Sequence, residues 1–409
     1  MNILLINHYA GSPEMGMEFR PYYLAKEWVK MGHKVDIIAA DYSHLRRKNP
    51  VISKDFEVEV IDGINYHWIH TRTYEGNGAS RAITMAQFVG KLWLDARKIT
   101  ESLNPDIIIT SSTYPLDIIA GKKIKKKSKS AILTHEIHDM WPITPIELYG
   151  MSKHHPFVAV MQYGENYFCK NADNVVSILP NAREYLVEHG MDNSKFHFVS
   201  NGIDMSDWEN PMGLPEEHSK AIIKAKEQGR LVIGFFGSHT RSYSLDYLID
   251  AATKCDQSRI YLMFVGAGNY KGDLIKRAND RGLSNDCYGF FPPINKQAIP
   301  SLLEGCDASY VGAIKNDMFR FGIGMNKLFD AMMGGKPILY AVKAPNNLIE
   351  EHSCGISVEA EDVDALAQGI NELLSMSEED RLRMGKNGKK AVLENYNFPV
   401  LAKKFLEIY

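Results

Sequence analysis

Two kinds of hydrophobic run alternate along this chain. Short unbroken apolar runs, the first at residues 2–7 (NILLIN), have the length and continuity of strands covered on both faces in a parallel sheet. Between them lie longer stretches whose apolar residues recur at helical spacing. Phe19, Tyr22, Tyr23, Ala25, Trp28 and Val29 fall largely on one face and predict a helix from Glu18 to Met31, ended by Gly32. The rhythm then repeats: strands at 35–40 and 64–70, a long amphipathic helix at 83–103, strand 106–110, helix 116–127, strand 131–137, helix 156–170, and strands at 175–179 and 196–200. Strands and helices alternating at these lengths imply a parallel sheet with right-handed crossovers. The opening unit is strand, glycine loop, helix, strand, as in nucleotide-type α/β domains. It lacks G-x-G-x-x-G, so a dinucleotide cofactor is not indicated.

Asn201-Gly202-Ile203-Asp204 reads as a turn, and the polar stretch after it contains Pro211 and Pro215. The expected domain boundary lies there, giving domains 1–204 and 205–409. A second α/β series follows: strand 231–236, the loop Gly237-Ser238-His239-Thr240-Arg241, a helix from Leu245, strand 260–265 closed by Gly266-Ala267-Gly268, and strand 308–312. A glycine-spaced loop then enters a short apolar helix that ends at Gly334-Gly335 before a strand at 337–342. The last stretch, 399–409, is helical in pattern and long enough to pack on either half.

Bulk properties narrow the class. At 409 residues the chain exceeds one ordinary core. Its 45% hydrophobic and 24% charged content suit a soluble globular protein, and a net charge of −3 gives no reason to expect nucleic acid as a partner. Cys169, Cys255, Cys287, Cys306 and Cys354 are scattered, with no C-x-x-C, which argues for reduced thiols and against a disulfide framework or zinc site. The first apolar run is too short for a signal peptide, and no run approaches the ~20 residues that span a bilayer. A cytoplasmic location is expected.

The stretch from Phe319 to Pro337 looks built around a ligand. Gly322 and Gly324 let a ligand approach backbone, and the N–H groups of Gly324, Met325 and Asn326 open a helix whose N-terminus suits phosphate. Lys327 is electrostatically wrong in a first turn unless an anion sits there. Asp330 lies one turn on, suited to a ribose diol; the alternative is an exposed Lys327–Asp330 pair. Arg241, on the loop after the first strand of the second half, can reach the crevice at strand carboxyl ends, or is a solvated loop arginine. His135, Glu136, His138 and Asp139 crowd one strand end, with alternation placing His138 beside Glu136 and away from His135 and Asp139. A metal site there is conceivable but not expected. Gly16 either brings its loop close to a ligand or makes an ordinary turn. Lys122, Lys123, Lys125, Lys126, Lys127 and Lys129, with Ile118, Ile119 and Ile124 nearby, form either a solvated face or a seat on an anionic membrane.

Together these segments resemble glycosyltransferase family 4, retaining enzymes of the GT-B fold with two facing Rossmann-like domains, parallel sheets and a C-terminal helix. The resemblance covers nearly the whole chain. It is carried by the Gly11–Gly16 loop and its helix running to Met31-Gly32-His33-Lys34-Val35, by His138-Asp139-Met140-Trp141-Pro142, Asn201-Gly202-Ile203-Asp204, Phe236-Gly237-Ser238 and Val265-Gly266-Ala267-Gly268. Asn326-Lys327-Leu328-Phe329-Asp330 through Gly335-Lys336-Pro337 completes it. The HDMWP and NKLFD segments look most like transferases that assemble bacterial O-antigen or capsule, including those handling N-acetylfucosamine-type sugars. One departure stands out: the family shows Glu, seven residues, then Glu, whereas here Asp330 takes the second place and Gly322 the first.

The resemblance implies a nucleotide-sugar donor, UDP-linked, held by Gly16, Arg241, Gly324, Met325, Asn326, Lys327 and Asp330. It implies His138 facing the donor sugar, with Asp139 as its partner; a strand-end His138–Asp139 pair that caps the following Trp141-Pro142 turn is the alternative. The implied acceptor is a saccharide or polyprenyl-linked glycan. Cations from Arg241, Lys327 and the helix terminus make a metal unnecessary, and no cofactor is expected. Two other functions fit the same pattern: a UDP-sugar 2-epimerase, and a non-catalytic subunit that binds nucleotide sugar.

Overall fold

The computed structural model describes residues 1–16, 19–76 and 78–409. The start of the expected first helix, at Glu18, lies outside them; its described part spans Phe19–Lys30. The chain divides into two compact units, Met1–Asn201 with Phe398–Tyr409, and Gly202–Asn397.

In the first unit, eight strands form one sheet: β1 (Asn2–Ile6), β2 (Lys34–Ala40), β3 (Glu57–Ile61), β4 (Ile64–Ile69), β5 (Ile107–Thr110), β6 (Ile132–Ile137), β7 (Asn174–Ser177) and β8 (Phe196–Phe198). Their order is β3-β4-β2-β1-β5-β6-β7-β8, parallel throughout except β3 against β4. β1 pairs with both β2 and β5, and all four of its central and last residues are buried. That double cover is why its sequence is an apolar run without alternation. β3 was not expected. Its signal is Asp62-Gly63, both at positive φ (51° and 79°), the residue pair that a tight hairpin turn demands. The expected helix 83–103 is two helices, Ala79–Leu94 and Ala96–Leu103, interrupted at Asp95 (φ −86°, ψ 8°). Aspartate competes with helical backbone by local hydrogen bonding, which suits it to such a break.

The second unit holds β9 (Leu231–Phe236), β10 (Ile260–Val265), β11 (Tyr288–Phe291), β12 (Ala308–Gly312), β13 (Ile338–Ala341) and β14 (Gly355–Ser357). These form an all-parallel sheet in the order β11-β10-β9-β12-β13-β14, with an apolar cluster on each face. The strands' carboxyl ends therefore share one edge and their amino ends the other. The order reverses direction between β9 and β12, the place where open α/β sheets hold ligands.

The boundary differs from the expected one at residue 204. Ile203 belongs to the second unit because it is buried in that core, its N–H donates to Tyr396 O at 3.0 Å, and it bridges Asn397. The closing helix, Phe398–Leu406, belongs to the first. Trp28 Nε1 donates to Ala402 O at 3.0 Å, Phe405 packs edge-on against Trp28, and the Tyr409 hydroxyl meets Thr134 Oγ1 at 2.6 Å.

Candidate functional site

In the second unit, the Asn346 side chain clamps the segment that leads from β12 into the helix Asn326–Met333. Asn346 accepts from Ile323 N and donates to Ile323 O, both at 2.8 Å. Gly322 precedes it at φ 103°, ψ −179°, a conformation that only glycine adopts without strain. A glutamate at this position is excluded by the backbone itself. Met325 enters the helix without any side-chain cap; Leu328 N donates to Met325 O at 3.0 Å, and the Asn326 and Lys327 N–H groups ahead of it can meet a ligand.

Lys327 and Asp330 both sit on this helix, yet no ion pair joins them among the described residues. Lys327 turns toward the β9 loop, where its Nζ is shielded from solvent with no hydrogen-bond partner among the described residues. It lies 3.2 Å from the centroid of Tyr243 and 4.5 Å from that of Phe235. Burial without a counter-charge lowers its pKa to about 7. Gly237, at φ 133°, leaves space for this ammonium: a Cβ there would stand 2.7 Å from Nζ. Asp330 is buried too, near the ion pair of Lys296 and Asp207. Burial raises its pKa to about 6, with Lys296 opposing and Asp207 adding to the shift. A buried cation and a buried carboxyl that do not pair with each other among the described residues, on one short helix beside an uncapped N-terminus, are the arrangement expected of a ligand site.

Arg241 starts a short turn, Arg241–Tyr243, in the same loop. Tyr243 reaches Lys327, while the exposed Arg241 guanidinium stands 5.7 Å from the Tyr270 ring. His239 was missed by the sequence reading. It is fully buried, with no hydrogen-bond partner for either ring nitrogen among the described residues, and burial lowers its pKa to about 4. Gly266 and Gly268 let the next loop lie directly on it: a Cβ on Gly268 would be 2.2 Å from His239 O.

In the first unit, Glu136 organises the end of β6. Its Oε1 accepts from Arg20 Nε at 2.9 Å, and its Oε2 accepts from Ser111 Oγ at 2.7 Å and meets His138 Nε2 at 3.0 Å. Burial would raise its pKa, but Arg20, His138 and Ser111 outweigh it and hold the carboxyl well below the usual range. An ionised Glu136 only accepts, so His138 donates to it from Nε2. Nδ1 has no hydrogen-bond partner among the described residues. Arg20 is fixed in turn by Ser200 O at 2.6 Å and Val199 O at 3.0 Å.

The partner expected for His138 is corrected. Asp139 instead accepts from Met140 N (2.9 Å), Trp141 Nε1 (3.1 Å) and Thr144 Oγ1 (2.6 Å), capping the turn at the cis Trp141-Pro142 bond. His135 lies on the other side, buried between Thr110 and the Phe168 ring. Among the described residues, no group of three or more His, Cys, Asp or Glu side chains is placed to hold a metal ion. Gly16 adopts φ 84° in a turn, and a Cβ there would touch the Arg47 side chain at 3.2 Å.

The lysine run needs a second correction. Ile118 and Ile124 are fully buried core residues, so they present no apolar surface. Lys122 donates to Asn171 O at 3.1 Å, Lys125 pairs with Asp173, and Lys123 lies over Trp93. Lys126, Lys127 and Lys129 are exposed, as are Trp93 and Leu94. Among the described residues no helix is long and apolar enough to cross a membrane.

Comparison with known proteins agrees with this architecture. The model of Glycosyltransferase Family 4 matches residues 15–207 and that of Glycosyl transferases group 1 matches residues 217–391. A curated relative, the putative colanic acid biosynthesis glycosyl transferase WcaI of Escherichia coli (strain K12), is 24% identical over 208 residues, and the match covers 50% of each chain. The chain thus spans about half the length of that relative. Among solved structures, Anabaena HepE in complex with UDP and glucose aligns with a TM-score of 0.66 at 16% identity, covering 100% of this chain and 99% of that one. Sucrose-phosphate synthase from Thermosynechococcus elongatus aligns with a TM-score of 0.70 at 16% identity, covering 100% and 98%. The chain therefore belongs to the glycosyltransferases, with a Glycosyltransferase Family 4 domain followed by a Glycosyl transferases group 1 domain in the GT-B fold.

Proposed function

We propose that the chain moves a sugar from a UDP-sugar, with retention at the anomeric carbon, to a saccharide or polyprenyl-linked acceptor in the assembly of a bacterial surface polysaccharide. The observation that carries this reading is the Lys327 ammonium, desolvated, without a counter-ion, beside Gly237 on an uncapped helix. A diphosphate supplies the missing charge, and Asp330 grips the ribose. Arg241, Gly324, Met325, Asn326 and Gly16 complete the donor contacts. His138, held by Glu136 and Ser111, offers Nδ1 to the reacting sugar. The UDP complexes of HepE and the WcaI relative support the nucleotide and the pathway class; an N-acetylamino sugar such as N-acetylfucosamine is the donor sugar we favour.

The positive charge needed by the leaving diphosphate comes from side chains and the helix terminus, so the reaction proceeds without metal or cofactor. EDTA that abolishes transfer, with recovery on magnesium or manganese, overturns that part. The exposed Lys126, Lys127 and Lys129, together with the exposed Trp93 and Leu94, seat the protein on the anionic inner face of the membrane. Replacing Lys126, Lys127 and Lys129 by Gln should then reduce vesicle binding and leave UDP binding alone. The central test is calorimetry with UDP followed by a donor and acceptor screen: UDP binding lost in Lys327→Met supports the reading, and UDP binding absent in the wild type removes it. Gly322 favours a second reading, a non-catalytic nucleotide-sugar-binding subunit, because the family's first carboxylate has no place on this backbone. Binding without turnover in every acceptor screen identifies that case.

A further inference from the structure

The opposite edge of the second sheet, where β9, β10, β12 and β13 begin, carries a cavity of about 520 Å³. Five cations line it: Lys226, Arg230, Arg259, Lys336 and Arg381, against the two carboxylates Asp307 and Glu378. They come from separate elements of one unit, so the fold, rather than a local charge run, brings them together. Asp307 is already engaged, accepting from Val232 N at 2.9 Å and lying 3.5 Å from Lys226 Nζ. The three guanidiniums are tied to main-chain carbonyls. Arg259 donates to Leu374 O at 2.9 Å, Arg381 to Met376 O at 2.7 Å, and Arg230 to Asp286 O. A carbonyl orients a guanidinium without neutralising it. Arg230 Nε is buried with no acceptor, and Lys336 Nζ has no ion-pair or hydrogen-bond partner among the described residues. The result is an excess of three positive charges around a space of small-molecule size.

We propose that this cavity is a second anion site, taking a soluble ligand with two linked phosphoryl groups. Each phosphoryl group brings roughly one and a half to two negative charges at neutral pH, which matches the excess. Arginine forks suit paired phosphate oxygens. The cavity lies across the sheet from Gly237, Lys327 and Asp330, so its occupant and a nucleotide at those residues bind together.

The test is calorimetric titration of the full chain with inorganic pyrophosphate, in the wild type and in Lys327→Met. Lys327→Met should bind one equivalent and the wild type at least one, with affinity falling steeply as salt is added. Lys336→Gln and Arg230→Gln should each weaken pyrophosphate about tenfold or more, and UDP affinity should stay unchanged in both. Glu378→Gln removes a repelling carboxylate and should tighten pyrophosphate several-fold, a gain that no folding defect imitates. The proposal is overturned if pyrophosphate does not bind, if its binding vanishes in Lys327→Met, or if the Lys336, Arg230 and Glu378 variants leave it unchanged.

Discussion

The Lys327 ammonium lies 3.2 Å from the centre of the Tyr243 ring, and no carboxylate pairs with it among the described residues. Aromatic faces attract a cation but do not replace its lost water. Lys327→Met should therefore raise the melting temperature of the free protein by a few degrees while weakening UDP at least tenfold. Differential scanning fluorimetry and calorimetry read the two effects separately. A variant that melts earlier and binds UDP normally shows that Lys327 serves only packing.

The same group sets a pH dependence. In the free protein Lys327 loses its proton near pH 7, and a bound diphosphate holds that proton on. Binding at pH 8 must then take up close to one proton, and affinity should fall roughly tenfold per pH unit above 7. Asp330, with its pKa raised to about 6, offers a ribose charge-assisted acceptors only when ionised, so affinity also drops below 6. Titrations in two buffers of different ionisation enthalpy measure the proton directly. A flat affinity from pH 6.5 to 9 rules the linkage out.

Asp330 couples ligand binding to stability with the opposite sign from a salt-bridged carboxylate. Its folded pKa of about 6 exceeds the unfolded value, so folding is favoured while it stays protonated. That contribution is full below about pH 4 and is lost as pH rises through 6. Asp330→Asn should gain on the wild type across this window, by up to ~3 kcal/mol at neutral pH, and lose UDP affinity at every pH. Urea melts at pH 4 and pH 7.5 decide it: a constant difference between variant and wild type counts against the assignment.

Glu136 and His138 should separate by phenotype. Glu136→Gln leaves the buried Arg20 without its counter-charge, and should cost about 3–5 kcal/mol of stability in denaturant melts. His138→Ala removes a largely buried ring but leaves Glu136 its bonds to Arg20 and Ser111, so it should cost less stability than Glu136→Gln and leave UDP affinity nearly unchanged. Transfer should nonetheless fall ~10²-fold or more. Full activity in His138→Ala would falsify its role.

Most strands were readable because double burial removes polar residues from them, whereas β3, β11 and β14, which are short or only partly buried, were not. The helix Asn326–Met333 was readable from its glycines and from a lysine in the wrong place for an empty helix start. What escaped depends on contacts distant in sequence. Nothing near Asn346 announces that it clamps Ile323, and Arg20 finds Glu136 only once β6 lies beside the first helix. His239 gives no sign of burial until Gly266 and Gly268 bring a second loop over it. Asp139 misled for a related reason: its nearest acceptable donors are its own turn, which competes with His138 and wins. The Asp62-Gly63 hairpin was legible in principle, its largely exposed first strand lacking an apolar run.

The closing helix has a consequence for synthesis. A ribosome releases residues 1–201 long before Phe398, Leu401 and Phe405 exist, and those three belong to the core that Trp28 and Tyr23 enter. Nascent domains ordinarily mature in the order they emerge. Here the later unit, Gly202–Asn397, is self-contained and can finish first, while the earlier one waits with an apolar groove open along Phe19–Lys30. A chain stopped at Asn397 would carry one finished domain and one that still invites chaperones.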